Sequence, residues 1–451
     1  MNKVISAKRL PKDPGPPAWK SILPEQKRYP KLEDNILADW LIIGGGFTGL
    51  SAAKRICEIT DGDNIVLLEA SEIASGPAGR NSGFMIDLPH ELGSGSYQDT
   101  IERDKLHVKL NRYALDFAKK SSKEYEMPDE AADPVGRING VVNDTGEKHN
   151  HEYSEHLKKL GENFKLLSSD EMKEVTGTDF YRSGLFMPGC LMLQPALYIS
   201  KLGEGISNTY QKNFQIYENS PAIKFEKKDG GWLANTSKGS VFAKKIIMAV
   251  NGHIESFGFY KRRLMHVFTY ASMTRKLTEV EQKKLGGKKS WGVTPSDPMG
   301  STLRRISGIS GDRILIRNRW TFNPSMEISE SRIEKFGKDQ DDSFKKRFYM
   351  IPDVTMEYRW AGRLCLSLNS VPAFGEVETD MYSACCQNGI GTAKGTLAGI
   401  GAAELASGIQ SEIVKDMQSY DQPKKLPPEP LSTLGARSVI RWREFKAREE
   451  L

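Results

Sequence analysis

The chain of 451 residues is too long for a single hydrophobic core, so its length predicts two closely connected domains. Its net charge of +6 comes from Lys and Arg residues scattered among Asp and Glu, which argues against nucleic acid as the main partner and is compatible with an anionic substrate. No apolar run approaches the roughly 20 residues that span a bilayer, and the N-terminus lacks the apolar core of a signal peptide. The five cysteines are scattered along the chain and contain no CxxC pair. We therefore expect no transmembrane segment and no disulfide framework, and a location in the reducing cytoplasm.

The first ninety residues contain a recognisable supersecondary unit. Residues 1–36 carry six prolines, which disfavour a helix, so we expect this segment to lie extended over the body. Residues 39–43 are apolar and lead into three consecutive glycines at 44–46, as a buried strand leads into a tight turn. Small and apolar residues at helical spacing follow over 48–59, and 64–69 reads as a second buried strand. Strand, glycine turn, helix and strand together predict a βαβ unit with a right-handed crossover.

Helices and strands alternate through the rest of the chain. A fully buried strand is predicted at 245–250, closed by Asn251 and Gly252, and an Ala/Gly-rich helix opens at 389–392 and runs to about residue 406. Other helices are predicted over 101–125, 197–210 and 331–348. Short strands are predicted at 136–143, 184–187, 214–217, 223–226, 232–236, 265–275, 290–294, 301–306 and 313–317.

The order of these elements predicts the fold class. Elements typical of a dinucleotide-binding domain occur at the start, middle and end of the chain, so the segments between them must form a second domain. We therefore predict an α/β fold in which a Rossmann-type domain, with a βαβ unit and a GxGxxG turn, is interleaved with an antiparallel-sheet α+β substrate domain. The Rossmann-type domain is assigned residues 1–88, 189–256 and 351–451, and the substrate domain residues 89–188 and 257–350.

The glycine turn has the spacing of a dinucleotide phosphate fingerprint. Gly44 permits the tight turn, Gly46 lets a diphosphate approach the backbone, and Gly49 lets helix and strand pack closely. Glu69 lies 20 residues beyond Gly49, where an acid accepts hydrogen bonds from both ribose hydroxyls and repels a 2′-phosphate. A structural glycine turn is the alternative, but the flanking strand and helix favour dinucleotide binding. The neighbouring predicted contacts are Phe47, Thr48 and Ala70.

The loop at 75–84 favours a flavin over a nicotinamide. Its sequence, SGPAGRNSGF, places small residues directly after the second strand, where nicotinamide enzymes have no need of such a loop. In flavoproteins a loop here wraps the diphosphate and the flavin edge, and Arg80 and Asn81 can donate hydrogen bonds to them. Gly79 and Ser82 complete the predicted cofactor contacts in this loop. A glycine-rich surface loop is the alternative interpretation.

Several blocks of the chain resemble one family. The runs PPAWKSILPEQKRYPKLEDNILADWLIIGGGFTGLSAA, LLEA and SGPAGRNSGF resemble the D-amino acid oxidase superfamily of FAD-dependent oxidoreductases, and within it the branch of γ-glutamylputrescine oxidases. The likeness continues in LQPALYISKL, IIMAVNGH and WAGRLCLSLNSVPAFG, and ends with QNGIGTAKGTLAG. The third of these blocks keeps the W-x-G…P-x-x-G spacing of that branch, at Trp360, Gly362, Pro372 and Gly375. These blocks extend over nearly the whole chain.

The resemblance implies FAD held by three loops. The glycine turn would bind the diphosphate, Glu69 the adenosine ribose, and Ala222 the adenine through its backbone. A loop at 389–392 would present N–H groups and a helix N-terminus to the flavin edge, where reduced flavin carries negative charge. The remaining cofactor contacts predicted are Asn251, Gly252, Gly389, Ile390, Gly391 and Thr392.

The resemblance also implies a reaction and a substrate grip. The expected activity is oxidation of a small primary or secondary amine or amino acid, bearing a carboxylate, by hydride transfer to flavin N5, giving an imine, then a carbonyl product and hydrogen peroxide. Relatives hold a substrate carboxylate with an Arg and a Tyr of the antiparallel sheet, so Tyr270, Arg304 and Arg305 are the predicted catalytic residues. Because Arg304 and Arg305 are adjacent in a strand, only one of them should face the flavin. Further candidates are Asp87, His90, Arg317 and Arg319.

Two other groups of residues are candidate sites. Related sarcosine oxidases tether the flavin to a cysteine, but the motif places that position at Gly362 rather than Cys365, so we predict non-covalent FAD. His149, His151 and His156 lie in a polar stretch without the spacing of a metal site, and we predict a solvated helix start and no metal.

Three questions stay open at this level. The electron acceptor is molecular oxygen or another molecule, and the oligomeric state is not determined by the sequence. One alternative function is a dehydrogenase that passes electrons to a quinone at the membrane through the basic, amphipathic C-terminal run RSVIRWREFKAREEL, which we otherwise expect to pack on the FAD-binding domain. The other is a non-catalytic, flavin-binding subunit of a larger oxidase.

Overall fold

The computed structural model describes residues 3–89, 101–297, 299–447 and 449–451. The strands of these residues are β1 (Val4–Ser6), β2 (Asn35–Ile43), β3 (Ile65–Leu68), β4 (Phe84–Met85), β5 (Arg137–Val141), β6 (Lys165–Leu167), β7 (Ser183–Met187), β8 (Leu191–Met192), β9 (Phe214–Tyr217), β10 (Lys224–Lys228), β11 (Gly231–Asn235), β12 (Ser240–Met248), β13 (Leu264–Thr274), β14 (Trp291–Pro295), β15 (Thr302–Gly308), β16 (Gly311–Phe322), β17 (Met356–Ser367), β18 (Ala373–Glu378) and β19 (Met381–Cys385). Their helices are α1 (Ala18–Ser21), α2 (Phe47–Ile59), α3 (Ile101–Glu124), α4 (Asp144–Leu160), α5 (Ser169–Thr176), α6 (Pro195–Thr209), α7 (Glu279–Leu285), α8 (Glu330–Arg347), α9 (Ala393–Ala406), α10 (Glu412–Gln418) and α11 (Leu431–Lys446).

A nine-stranded sheet forms the first half of the molecule. Its strand order is β1-β10-β11-β12-β2-β3-β9, and β19 pairs with β12 and β18. β2 is parallel to both β12 and β3, and β3 is parallel to β9. The all-apolar IVLL of β3 is buried throughout, as a central parallel strand requires. The predicted βαβ unit is therefore present as β2, α2 and β3, and the predicted strand at 245–250 is the end of β12, beside β2.

Glycines bring the helices α2 and α9 close together beside this sheet. A Cβ atom on Gly49 would lie 1.8 Å from the carbonyl oxygen of Gly44, and one on Gly399 would lie 2.1 Å from that of Thr48. The first contact brings α2 against the glycine turn, and the second brings α9 against α2. Only glycine permits both approaches. The Ala/Gly-rich run that predicted a helix to residue 406 thus packs α9 against α2.

An eight-stranded sheet forms the second half. Its order is β17-β13-β16-β15-β14-β5-β7-β6, antiparallel except for the β14–β5 pair. Strands from both predicted segments of the substrate domain contribute to it, which agrees with the predicted fold class. β17 also belongs to this sheet, although the predicted domain boundaries place the segment 351–451 in the FAD-binding domain. The chain therefore crosses between the two units within that segment.

The C-terminal helix packs on the eight-stranded sheet, so the expectation that it packs on the FAD-binding domain was wrong. The apolar side chains of Ala436 and Ile440 join a cluster with Val267 and Trp320. Glu444 accepts a hydrogen bond from the Trp320 N–H at 3.1 Å. These contacts hold α11 against β16.

The N-terminal segment runs across both units. β1 pairs with β10 of the nine-stranded sheet, and Arg9 donates a hydrogen bond to the carbonyl of Pro324 beyond β16 at 3.4 Å. The segment is extended as predicted except at α1, a single turn that follows Pro17. Trp19 of that turn is fully buried and donates from its indole nitrogen to the carbonyl oxygen of Asn81 at 2.8 Å. A proline at the start of a helix is tolerated because the first N–H groups have no partner within the helix.

Candidate active site

A cavity of about 340 Å³ lies between the two sheets, at the carboxyl ends of β2, β3 and β12. In open α/β sheets, ligands bind at this edge, because the helix N-termini and the connecting loops converge there. The opposite wall is formed by β13, β15, β16 and β17 of the eight-stranded sheet. The N-terminal segment lines one side through Arg9, Leu10, Pro11 and Asp13.

The glycine turn supplies one end of the cavity. Gly44 has φ +106°, and a Cβ there would lie 2.6 Å from the carbonyl oxygen of Ala249. Gly46 precedes α2 as its N-cap without a side-chain cap, so the first N–H groups of the helix lack a side-chain acceptor. Phe47 and Thr48 also line the cavity, whereas Gly49 lies behind them. An uncapped helix N-terminus at a cavity is the environment that a diphosphate requires.

Glu69 lies at the end of β3 and faces the same cavity, as does Ala70. One carboxylate oxygen accepts the Gly45 N–H at 2.8 Å and the other accepts the Ser71 N–H at 3.0 Å. The Ser71 hydroxyl also donates to the second oxygen, at 3.4 Å, whereas the first oxygen keeps a lone pair that can accept from a ribose hydroxyl. Burial raises the pKa of Glu69, and hydrogen bonds from the backbone oppose that rise. These contacts hold the carboxylate in place at the cavity wall.

The loop at 75–84 lines the cavity through Arg80, Asn81 and Ser82, whereas Gly79 packs against the carbonyl of Ala74 behind it. The predicted hydrogen bonds from Arg80 are directed elsewhere. Its guanidinium donates to the carbonyl oxygens of Ser75, Asp13, Pro14 and Gly15 at 2.7 to 3.0 Å. The Asn81 amide likewise donates to Ala78 at 2.6 Å. Both side chains therefore hold the shape of the loop at the cavity wall.

The remaining predicted cofactor residues are at the cavity wall. Ala222, Asn251, Gly252, Gly389, Ile390, Gly391 and Thr392 all line it. Thr392 donates to the carbonyl oxygen of Phe84 at 2.7 Å, which ties the start of α9 to the loop after β3. Asn251 has φ +46°, and its side-chain oxygen is buried without a protein partner. A buried acceptor at the wall of a cavity is a place for a ligand donor.

Two arginines of the eight-stranded sheet line the cavity: Arg363 of β17, which is paired with Asp13, and Arg317 of β16. Arg317 lies between Ala271 of β13 and Thr302 of β15, both of which also line the cavity. Its Nη1 atom is buried without a hydrogen-bond partner, and no described acidic residue is paired with it. Burial lowers the pKa of Arg317 to about 10, so the guanidinium remains charged at neutral pH. This is an environment for an anion.

A β-bulge sets the direction of Arg317 and its neighbours. The register between β13 and β16 shifts at Arg319, which has φ +57°, so Thr269 pairs with Trp320 while Tyr270 pairs with Asn318. The extra residue breaks the alternation, and Arg317 and Trp320 both line the cavity although they are three positions apart. Arg319 points to the other face of the sheet, where its Nε lies 2.9 Å from a carboxylate oxygen of Asp339.

The three predicted catalytic residues are not among the described residues that line the cavity. The Tyr270 hydroxyl is 2.7 Å from that of Thr321, on the face of the sheet covered by α8. Arg304 donates to the carbonyl oxygens of Ser82 and Leu193 at 2.8 and 2.6 Å, so it braces the cavity loop from behind.

Arg305 and the further candidate Asp87 also lie away from the cavity. Arg305 forms a buried ion pair with Asp312 at 2.8 Å. Asp87 is buried and 3.1 Å from Arg112, away from the lining residues. His90 lies outside the described residues.

Sequence reasoning missed a charged group beside the N-terminal segment. Arg363 follows Gly362 on β17 and donates to an Asp13 carboxylate oxygen at 2.9 Å and to the imidazole of His253. Burial and the nearby Arg363 charge lower the pKa of His253 to about 3, so this imidazole is neutral. All four residues line the cavity. Arg363 lies within a block that carries the family resemblance, but nothing in the sequence links it to Asp13, 350 positions earlier.

Cys365, the cysteine considered as a flavin tether, is buried. Cys365 is 2% exposed and lines the cavity. A hydrogen bond with the Cys386 thiol, together with burial, raises the pKa of Cys365. A thiol held in its protonated form is a poor nucleophile. At Gly362, the position of the tether in the related motif, a Cβ atom would lie 3.3 Å from the carbonyl oxygen of Arg80.

The three histidines considered as a metal site lie in different environments. His156 is buried, not solvated as predicted, and its Nε2 is 2.9 Å from an Asp104 carboxylate oxygen. Burial lowers the pKa of His149. Within the part of the chain that the structure describes, no cluster of three or more His, Cys, Asp or Glu side chains is arranged to hold a metal ion.

Three features surround one cavity: an uncapped helix N-terminus suited to phosphate, an acidic side chain fixed at the end of the next strand, and a loop of small residues. Together they define a dinucleotide site of the flavoenzyme class, and the residues present fit FAD. The family model for FAD dependent oxidoreductases, DAO, matches residues 39–405, and the chain belongs to that family. The family resemblance, the oxidoreductase class and FAD as cofactor are thus confirmed.

Individual relatives are distant. A "Probable oxidoreductase OrdL" of Haemophilus influenzae is 25% identical over 396 residues, covering 84% of this chain and 85% of that protein. The gamma-glutamylputrescine oxidoreductase of Escherichia coli is 24% identical over 429 residues, covering 89% of each chain. The crystal structure of glycine oxidase from Geobacillus kaustophilus matches with a TM-score of 0.68 at 14% identity, over 87% of this chain and all of that one. The last likeness concerns the fold alone.

Proposed function

We propose that this protein oxidises a small primary or secondary amine that carries a carboxylate, such as an amino acid, with non-covalently bound FAD. The observation that supports the carboxylate is Arg317, a charged guanidinium at the cavity wall without an acidic partner among the described residues. The gamma-glutamylputrescine oxidoreductase named above acts, by its name, on a γ-glutamyl-amine, which is an amine with a carboxylate.

Arg317 suits a carboxylate for an electrostatic reason. A buried cation is costly unless an anion compensates it, and its lowered pKa reflects that cost. The planar guanidinium can donate two parallel hydrogen bonds to the two oxygens of a carboxylate. A substrate carboxylate would therefore satisfy both the charge and the orphaned Nη1 donor. In this proposal Arg317 takes the role that the sequence predicted for Arg304 or Arg305.

The chain's own part in the reaction is positioning and exclusion of water. Thr269, Thr302 and Trp320 surround Arg317 at the cavity wall, so an anchored substrate would lie against apolar and hydroxyl groups rather than bulk water. A fixed orientation lowers the entropic cost of reaction, and a dry cavity favours the neutral amine over the ammonium form. When bound, FAD supplies the oxidant, accepting a hydride at N5 from the carbon next to the amine. The substrate leaves as an imine, which water hydrolyses to a carbonyl compound and a smaller amine or ammonia.

We propose molecular oxygen as the electron acceptor, with hydrogen peroxide as its product, in the cytoplasm. A non-covalent cofactor is supported by Gly362 at the tether position and by the protonated thiol of Cys365. The dehydrogenase alternative differs only in the acceptor. Peroxide release under air, compared with turnover on an artificial dye, distinguishes an oxidase from a dehydrogenase.

The proposal is tested by anaerobic flavin reduction. The purified yellow protein is mixed with a panel of amino acids, N-substituted glycines and γ-glutamyl-amines, and each with its decarboxylated counterpart. We expect the flavin absorbance in the visible range to bleach with at least one carboxylate-bearing amine and much more slowly with its counterpart. A flavin that stays oxidised with every amine would favour the non-catalytic subunit, and equal rates with both members of each pair would remove the carboxylate from the proposal.

A further inference from the structure

The outer face of α11 carries an apolar stripe that the fold does not bury. Leu431, Leu434 and Trp442 are 61%, 59% and 56% exposed. At about 100° per residue these three side chains fall within about 80° of one another around the helix. Val439, 50% exposed, lies at the border of the same stripe. Large exposed apolar side chains on one face of a helix indicate a surface that contacts something else.

The orientation of this stripe is fixed by the opposite face of the helix. Ala436, Ile440 and, just after α11, Ala447 pack with Val267 and Phe322 of the eight-stranded sheet. The helix therefore cannot turn its apolar stripe inward without losing these contacts. Glu444, the one acidic residue of α11, also faces inward, with an oxygen 3.7 Å from Arg319 and hydrogen-bonded to the Trp320 N–H.

The charges that border the stripe are basic. Arg437 and Arg441 lie along one border, Arg443 lies along the other, and all three are exposed. Lys446 extends over the Trp442 ring, 4.0 Å from its centroid. Residues 424–446 contain six basic and two acidic side chains, a surplus of four charges out of a net +6 for the whole chain. The apolar stripe thus lies within a strongly basic segment of an otherwise balanced surface.

We propose that α11 binds peripherally to an anionic lipid surface, with Leu431, Leu434 and Trp442 in the interface and the arginines among the headgroups. Helices that lie in the plane of a membrane combine an apolar face of Leu and Trp with flanking Lys and Arg. Tryptophan favours the boundary between apolar and hydrated regions, and basic side chains are attracted to anionic headgroups. Among the described residues, no helix combines the length and the apolar character that crossing a membrane requires.

This surface is separate from the family's shared core. The family model ends at residue 405, and α11 begins at Leu431. α11 nevertheless touches the substrate end of the cavity, because Glu444 contacts the backbone of Trp320, which lines it. Lipid binding at α11 would bring that end of the cavity close to the membrane surface.

The test is vesicle flotation of the full-length, FAD-loaded protein. We expect most of the protein to float with vesicles that contain about 30% phosphatidylglycerol in phosphatidylcholine, little to float with pure phosphatidylcholine, and the bound fraction to fall steeply in about 0.5 M salt. The double variant Leu434→Ser/Trp442→Ser should lose flotation at least tenfold. The control Leu166→Ser/Val280→Ser, which changes two side chains that are 59% and 62% exposed elsewhere, should float like the wild type.

A second variant separates charge from apolar contact. Arg437→Gln/Arg441→Gln should lose binding to anionic vesicles while keeping the flavin absorbance and thermal midpoint of the wild type. Absence of flotation with anionic vesicles would overturn the proposal. So would a dimer in light scattering that Leu434→Ser/Trp442→Ser converts to a monomer, with no lipid binding, because the stripe would then be an interface between two copies of the chain.

Discussion

Replacing Arg317 by leucine should weaken carboxylate binding without unfolding the protein. The guanidinium has no hydrogen-bond partner on Nη1 and no acidic partner among the described residues, and its contact with the Trp320 ring, 5.6 Å from the centroid, would be replaced by apolar packing of the leucine. Leucine fills part of the same space and relieves the burial of a charge whose pKa has fallen to about 10. We expect the thermal midpoint of Arg317→Leu to equal or exceed that of the wild type.

The expected loss in binding follows from the environment of the charge. Removing one partner of a buried, hydrogen-bonded ion pair costs about 2 to 5 kcal/mol. A cost of about 3 kcal/mol corresponds to a decrease of about 150-fold in kcat/KM, since each 1.4 kcal/mol is tenfold. Arg317→Lys keeps the charge but not the two parallel donors, so we expect an intermediate loss of about tenfold.

Two assays measure this loss. In the first assay, acetate, a small carboxylate that stands for the substrate carboxylate, is added stepwise, and the change in the flavin absorbance spectrum gives its Kd without turnover. In the second assay, kcat/KM is measured with an amine that reduces the flavin. Arg319→Gln is the matched control, because Arg319 lies two positions away but on the other face of the sheet beside Asp339. The reasoning would be refuted if Arg317→Leu bound acetate as tightly as the wild type, or if Arg319→Gln caused the larger loss.

Three further predictions concern the cofactor and stability. Glu69→Gln should raise the Kd of FAD about tenfold, measured by flavin fluorescence after dilution, because a neutral amide is the weaker acceptor at the ribose. Acid precipitation of the wild type and of Cys365→Ala should leave all of the flavin in the supernatant, and flavin retained in the wild-type pellet alone would show a tether. Burial is the main reason why the pKa of Glu450 is raised to about 7. Glu450 therefore binds its proton more tightly in the folded than in the unfolded state. Its contribution to the stability of the fold is fully present below about pH 4.5 and is lost as the pH rises through 7. The free energy of unfolding of the wild type, measured by urea titration, should therefore fall by about 2 to 3 kcal/mol between about pH 5 and 8 because of this group. In Glu450→Gln this fall should be absent.

The cofactor end of the site was predictable because its determinants are local. The turn at Gly44, the N-terminus of α2 and Glu69 follow one another within 26 residues, and strand, turn and helix each leave a pattern in the sequence. The long-range contacts of the same region left no pattern in the sequence. Arg80 has the character of a cofactor ligand in the sequence, but its donors are taken by the carbonyls of Asp13, Pro14 and Gly15, whose approach depends on the tertiary path of the N-terminal segment.

The substrate end was less predictable because strand periodicity alone does not locate a bulge. Simple alternation places Arg317 and Arg319 on the same face of β16 and gives no reason to prefer either over Arg304. The structure inserts one residue at Arg319, in the left-handed region at φ +57°, and this sends Arg317 and Trp320 to the cavity and Arg319 to α8. A non-glycine residue in that conformation costs of order 1 kcal/mol and persists where the surrounding structure enforces it, commonly at functional sites. Arg319→Gly should therefore keep the bulge and carboxylate binding. Deletion of residue 319 should remove the bulge but leave Arg317 and Trp320 two positions apart on one face of a regular strand, so acetate should still bind. Loss of acetate binding in a deletion variant that still binds flavin would show that the bulge itself positions Arg317.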